Sequence, residues 1–211
     1  MLNCHRKISM SETTAKAPAD NSRRTWLITT AAMGGAGAAA VAVPFVSSFT
    51  PSERAKASGA AVEFDVSLLQ PGEKVVVEWR GKPVWVMRRT PEQLAALEKL
   101  DPQLADPTSV RTAYPTPEYA QNRHRSIKPE ILVTVGICTH LGCSPSDKLT
   151  PGPQTSLPDD WAGGFLCACH GSTFDLAGRV FKNKPAPDNL EVPPHYYVSE
   201  TQLLIGEEKP A

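Results

Sequence analysis

Two short boxes constrain this chain more than any other feature: Cys138-Thr139-His140-Leu141-Gly142-Cys143 and Cys167-Ala168-Cys169-His170-Gly171-Ser172. Four of the five cysteines and two of the five histidines fall inside them. Each box can give one cysteine and one histidine to a metal, which leaves one cysteine per box over. The fold must therefore bring two loops, separated along the chain, to a single point.

Bulk properties narrow the setting. At 211 residues and 41% apolar content, the chain holds one modest globular domain plus an appendage. Lysine plus arginine equal aspartate plus glutamate at 22 each, and this argues against nucleic acid as a partner, because a phosphate-binding surface needs a basic excess. Twenty prolines and fourteen glycines suit a loop-rich domain of short strands. Five cysteines are too few for a disulfide scaffold, so their clustering needs a specific cause.

The N-terminal region reads as membrane delivery. Residues 1–25 form a polar cytoplasmic tail ending in Ser22-Arg23-Arg24-Thr25, and Cys4 in this tail is an ordinary lone thiol. A paired arginine directly before an apolar run is the twin-arginine export pattern. Residues 26–49 are long enough to cross a bilayer core, which needs about 20 residues. Arginines stay on the cytoplasmic side, so the remainder lies across the inner membrane, in the periplasm. Ala55-Lys56-Ala57 fits a small-residue cleavage pattern. However, the apolar run exceeds the 7–15 residues of a cleaved signal core, and this favours a retained single-pass anchor. Residues 50–61 are small and polar, the composition of a tether.

From residue 62 to 211 the pattern is that of a mainly β domain. Residues 62–66 alternate, and residues 74–79 and 83–87 flank Arg80-Gly81-Lys82 as a hairpin. Thr90-Pro91-Glu92 caps a helix with leucines at helical spacing through Leu100. Residues 101–128 read as a proline-rich surface excursion, with His124 solvated between Arg123 and Arg125. Ile131-Leu132-Val133-Thr134-Val135 is a buried strand that delivers the first box. Residues 144–160 read as a loop, and residues 163–166 lead into the second box. Residues 172–180 return as a hairpin around Ala177-Gly178. Lys184-Pro185-Ala186-Pro187 is a stiff polyproline-like segment, and residues 192–198 and 202–205 close the domain.

Several metal chemistries use cysteine and histidine. A structural zinc site takes two of each, but usually as paired cysteines followed by paired histidines, and it leaves two cysteines unexplained. Four free thiols would also be a liability in an oxidising compartment. A disulfide oxidoreductase uses C-x-x-C beside a βαβ unit, and neither is present. Type I copper takes two histidines, one cysteine and an axial methionine. One cysteine and one histidine from each box is the ligand set of a Rieske [2Fe–2S] centre, in which two histidines replace two cysteines on one iron.

On these boxes, and on the anchor, tether and proline segment around them, the chain resembles the Rieske iron–sulfur subunits of bacterial ubiquinol–cytochrome c reductases, the cytochrome bc1 complexes. The resemblance implies a Rieske-type antiparallel β-sandwich with a small cluster-binding subdomain at about residues 131–187. It implies that Cys138 and Cys167 hold the inner iron of one [2Fe–2S] cluster, that His140 and His170 hold the outer iron, and that Cys143 and Cys169 form a disulfide. Ser172 would hydrogen-bond a bridging sulfide, and residues 184–187 would cover the cluster. His170, with His140, would meet ubiquinol in a pocket shared with cytochrome b and take a proton with the electron. The domain would then swing on its tether to cytochrome c1, contributing to proton translocation.

Alternatives within reach of the same boxes are the small subunit of an arsenite oxidase, a cytochrome b6f subunit, a soluble dioxygenase-type ferredoxin and a periplasmic zinc protein. The chain departs from a common family pattern at Ala168, where many members have proline, at Phe174, where many have tyrosine, and at Lys184, where some have glycine.

Overall fold

The computed structural model describes residues 21–52, 59–111, 113–114 and 116–209. The tail with Cys4 and most of the expected tether, including Ala55-Lys56-Ala57, lie outside the described residues.

The chain divides into two units, residues 1–51 and residues 52–211. Among its described residues, the first contains one helix, α1 (Asn21–Ser47), 27 residues long. At 1.5 Å per residue it spans about 40 Å, enough for a bilayer core. Its most apolar window has a mean hydropathy of 1.5, and none of its residues is buried within the protein. The helix starts earlier than the apolar run, so Arg23 and Arg24 sit in its first turn. There, the Thr25 hydroxyl donates back to the Asn21 carbonyl at 2.8 Å. Polar side chains that satisfy their bonds locally let the helix begin before its hydrophobic stretch.

Among its described residues, the second unit is built from three antiparallel three-stranded sheets. The outer sheet joins β1 (Val62–Asp65), β9 (Gln202–Ile205) and β8 (His195–Tyr197). The middle sheet joins β2 (Lys74–Trp79), β3 (Lys82–Arg88) and β4 (Ile131–Val135). The third joins β5 (Ser146–Lys148), β6 (Gly164–Cys167) and β7 (Ser172–Asp175). One helix, α2 (Pro91–Leu100), connects the middle sheet to the excursion. The cap expected at Thr90 is formed, and it is a capping box: its hydroxyl accepts from the Gln93 N–H, and the Gln93 side chain accepts from the Thr90 N–H.

Strand periodicity explains the layering. Val84 and Val86 of β3, with Ile131, Val133 and Val135 of β4, pack into one apolar cluster with Val66, Leu203 and Ile205. Trp85 and Met87, with Leu132, point to the opposite face and join Phe165, Phe174, Leu176 and the two cysteines Cys138 and Cys167. The middle sheet is thus buried on both faces by alternate residues. It is a shared wall between the outer sheet and the sheet that carries the second box. Trp85 stacks against Phe165 with ring centroids 4.7 Å apart, and Lys74 reaches Asp147 across the same seam.

Some expectations need correction. The loop expected at residues 144–160 contains β5, a strand whose Ser146-Asp147-Lys148 has no apolar signal and which forms by pairing with Leu166, Phe165 and Gly164. The closing strand expected at 192–198 shrinks to His195–Tyr197, because Pro193 and Pro194 cannot donate to a ladder. His124 is not a solvated loop side chain but half-buried. Burial, together with the charges of Arg89 and Arg123, lowers its pKa, and its carbonyl accepts from Arg89.

The excursion at 101–128 closes on the domain through buried groups. The Tyr119 hydroxyl accepts from the His195 N–H at 2.8 Å, and His195 Nδ1 lies 2.8 Å from the Pro193 carbonyl, so Nδ1 carries the ring proton. Burial pushes the His195 pKa down to about 4. The unfolded chain therefore binds this proton near pH 6.5 while the native state refuses it until about pH 4. This contribution is complete above about pH 6.5, falls as pH drops through that window by on the order of 3 kcal/mol, and levels off near pH 4. Denaturant titrations between pH 7 and pH 4 should show the fall in the native chain, and His195→Gln should flatten it. An equal slope in both proteins would contradict the assignment.

Candidate metal centre

Each box is held by a strand end and closed by a glycine. β4 is buried along its whole length and passes through Gly136 into the first box. A Cβ on Gly136 would stand 2.2 Å from the Trp85 indole, so only glycine lets the chain run this close beneath the loop. The Cys138 N–H donates to the Cys143 carbonyl at 2.8 Å, and the Gly142 N–H returns to the Cys138 carbonyl at 3.1 Å. The second box caps the β6–β7 hairpin, where Cys167 pairs with Ser172. The Gly171 N–H returns to the Cys167 carbonyl at 2.9 Å. Gly142 and Gly171 have φ of 80° and 76°, so two loops from different parts of the chain close in the same way.

The loops bring all six candidate side chains to one end of the domain. Cys138 and Cys167 are buried and in mutual hydrogen-bonding contact. Cys143 and the exposed Cys169 form a second contact. Cys143, Cys167 and Cys169 also lie within 4.8 Å of one another, so the sulfurs are one group rather than two isolated pairs. All four are free thiols. Burial, then contact with Cys138, pushes the Cys167 pKa up to about 11. Cys143 rises to about 11 chiefly through its contact with Cys169. Thiols packed this closely resist ionisation, and a coordinated cation or a disulfide removes that penalty.

The two imidazoles lie edge to face, with centroids 4.6 Å apart at 88°. His170 is exposed and His140 half-buried. His140 Nδ1 is buried with no hydrogen-bond partner. Such an orphaned acceptor is costly in an apolar setting unless a ligand meets it.

The proline segment is tied down at three points. The fully buried Ser172 Oγ accepts the Ala186 N–H at 3.0 Å, leaving its own proton to donate elsewhere. The Thr139 hydroxyl of the first box donates to the Asp188 carbonyl at 2.6 Å. Arg111, from the excursion, donates to the Pro187 carbonyl and lies 3.8 Å from the Asp188 carboxylate. Sequence reasoning missed Thr139 and Arg111, and neither carries a local signal, since both act over long separations. The excursion thus braces the proline segment.

Two thiols and two imidazoles, one nitrogen buried and without a partner, suit a Rieske centre, though zinc takes the same donor types. Comparison with known proteins separates the two. Residues 117–194 match the family described as Rieske [2Fe-2S] domain, and residues 11–52 match the family described as ubiquitinol-cytochrome C reductase Fe-S subunit TAT signal. The chain therefore carries a Rieske domain and a Rieske-type [2Fe–2S] cluster.

It is 56% identical over 187 residues to the ubiquinol–cytochrome c reductase iron–sulfur subunit of Allochromatium vinosum, covering 89% of each chain. The corresponding subunit of Blastochloris viridis is 42% identical, over 89% of this chain and 94% of the relative. A solved structure described as hyperthermophilic respiratory Complex III aligns with a TM-score of 0.45 and 26% identity, over 83% of this chain and 97% of that one. The chain belongs to the ubiquinol–cytochrome c reductase iron–sulfur subunits, the Rieske subunits of cytochrome bc1 complexes, and is part of an oxidoreductase.

Phe174 is fully buried in the same apolar cluster as Cys138 and Cys167. A tyrosine hydroxyl at this position would be held in that cluster, away from water. Hydrogen bonds to cluster sulfurs raise the potential. Phe174→Tyr should therefore raise the midpoint potential by tens of millivolts, the equivalent of about 1 kcal/mol for one hydrogen bond. Ser172→Ala should lower it. Redox titration of the two variants checks both signs, and no upward shift in Phe174→Tyr would contradict the first.

Proposed function

We propose that Cys138 and Cys167 hold one iron, that His140 and His170 hold the other through Nδ1, and that Cys143 and Cys169 form a disulfide bracing the two loops. The observation that carries this reading is the asymmetry of the site. The sulfurs of Cys138 and Cys167 and the Nδ1 of His140 are buried, while the His170 ring is exposed. Electrons enter and leave from that open side. When bound, the cluster accepts one electron at a time, at a higher potential than an all-cysteine centre because imidazole replaces thiolate.

The substrate is ubiquinol, in a pocket supplied by cytochrome b. The outer nitrogen of His170 accepts the hydrogen bond and then the proton of the quinol hydroxyl, with His140 beside it. Leu141, 69% exposed at the tip of the first loop, offers apolar surface to that pocket. Thr139, Ser172 and Arg111 fix the loops and the proline cover, so the imidazole is presented rather than searching. The electron then passes to cytochrome c1.

The helix α1 anchors the chain in the inner membrane. Arg23 and Arg24 keep its N-terminus cytoplasmic, and the cluster domain is periplasmic. Residues 50–61 act as the hinge between the two docking positions.

Leu141→Asp should leave the cluster spectrum unchanged and slow quinol oxidation at least tenfold, because a carboxylate entering an apolar pocket costs at least the roughly 1.4 kcal/mol equivalent to a tenfold change. His170→Ala should abolish quinol oxidation altogether. Normal turnover in either variant would sink the docking role. Replacing residues 55–57 with prolines should slow reduction of cytochrome c1 in stopped-flow measurements at an unchanged cluster spectrum, and an unchanged rate would remove the hinge.

A further inference from the structure

Behind the cluster loops, the domain buries three guanidiniums, Arg89, Arg125 and Arg179, each no more than 2% exposed. They differ in what they face. Arg179 is neutralised: its Nε donates to Asp175 at 2.8 Å, and its Nη1 donates to Asp101 at 2.7 Å. Arg89 donates only to neutral acceptors, the carbonyls of His124, Leu176 and Pro129 and the Ser126 hydroxyl. Arg125 does likewise, to the carbonyls of Ala177, Gly178 and Leu190 and the Thr116 hydroxyl. Among the described residues, neither has a carboxylate oxygen in ion-pair range, and the Nε of each is buried without a partner. Asp175, Glu130 and Asp106 act on them only through space.

Two unpaired cations buried together are expensive, and carbonyls alone do not require them. Their position suggests why they are kept. Four of the six carbonyls they grip belong to Leu176, Ala177, Gly178 and Leu190, and three of these four residues pack in the same apolar cluster as Cys138 and Cys167. Along β7, three steps at about 3.4 Å each put Asp175, where this turn starts, about 10 Å from Ser172 of the second box. Phe174, Leu176, Ala177 and Leu190 pack with Cys138 and Cys167 in one apolar cluster, and in such an interior the field of a cation is only weakly screened, though the buried Asp175 carboxylate offsets part of it.

We propose that Arg89 and Arg125 are retained as unpaired buried cations so that their field stabilises the reduced cluster and raises its midpoint potential. A centre with two thiolates and two neutral imidazoles carries no net charge when oxidised and one negative charge when reduced. A fixed positive charge therefore favours the reduced state selectively. This tuning does not use a hydrogen bond to sulfur, and it operates in a chain whose residue 174 lacks the hydroxyl.

The inference rests on the ligand assignment above, and an absent Rieske signal in the native protein would count against that assignment rather than this proposal. The test is an EPR-monitored redox titration of the membrane-bound complex, with thermal unfolding as a control. Arg89→Gln and Arg125→Gln should lower the midpoint potential and the unfolding temperature together. Arg89→Lys and Arg125→Lys should hold the potential near the native value. Ser126→Asp and Thr116→Asp place a carboxylate on Arg89 and Arg125 respectively, at positions that already accept from them. Both should lower the potential while leaving the unfolding temperature unchanged or higher.

A lowered potential in the carboxylate variants supports the proposal, because stability and potential then move independently. An unchanged potential in either loaded carboxylate variant overturns it. Loss of the cluster in both also counts against it, since pairing a buried cation should not cost the fold.

Discussion

The ion pair between Asp175 and Arg179 is the contact on which the rest of the cluster end depends. Both side chains are fully buried, and Asp175 also accepts the N–H groups of Ala177 and Arg179, so one carboxylate ties the foot of the second-box hairpin into a closed turn. Arg179 then carries that turn outward to the Leu97 carbonyl of α2 and to Asp101 and Pro107 of the excursion. Breaking such a pair from one side leaves an uncompensated buried charge, typically a loss of about 3–5 kcal/mol. The turn, the helix and the excursion are consequently one mechanical body, with the second box at its tip.

That body explains how two loops far apart in the chain present one reactive edge. The first box is fixed from below by Trp85 against Gly136, and the second by the hairpin and its ionic foot. The proline segment, bonded to Ser172, Thr139 and Arg111, links the two from the side. Rigidity at the sulfurs and exposure at His170 are complementary requirements. A cluster that changes charge by one electron needs fixed dipoles around it, and its partners need access to one imidazole edge.

Much of this was legible in the sequence where the determinants are local. The boxes, the buried strand Ile131–Val135, the hairpin across Arg80-Gly81 and the capped helix after Thr90 all announce themselves through spacing, turn residues or caps. Family resemblance, rather than periodicity, supplied the division of the cysteines into ligands and a brace. What was not legible depends on partners distant in the chain. β5 has no apolar alternation of its own and exists because β6 pairs with it. His124 read as a solvated loop side chain and His195 carried no signal, yet the first is half-buried and Tyr119 of the excursion closes over the second. Arg89, Arg125 and Arg179 carry no local signal of burial, and nothing in their immediate neighbours tells which will be buried or which will meet a carboxylate.

The most direct measurement is pulsed electron paramagnetic resonance on ascorbate-reduced membranes containing the full chain. The account predicts a reduced Rieske signal strongly coupled to two histidine nitrogens, with both couplings assigned to His140 and His170 by selective labelling. A signal with no nitrogen coupling, or a loaded protein that yields zinc and no reducible iron, would contradict it.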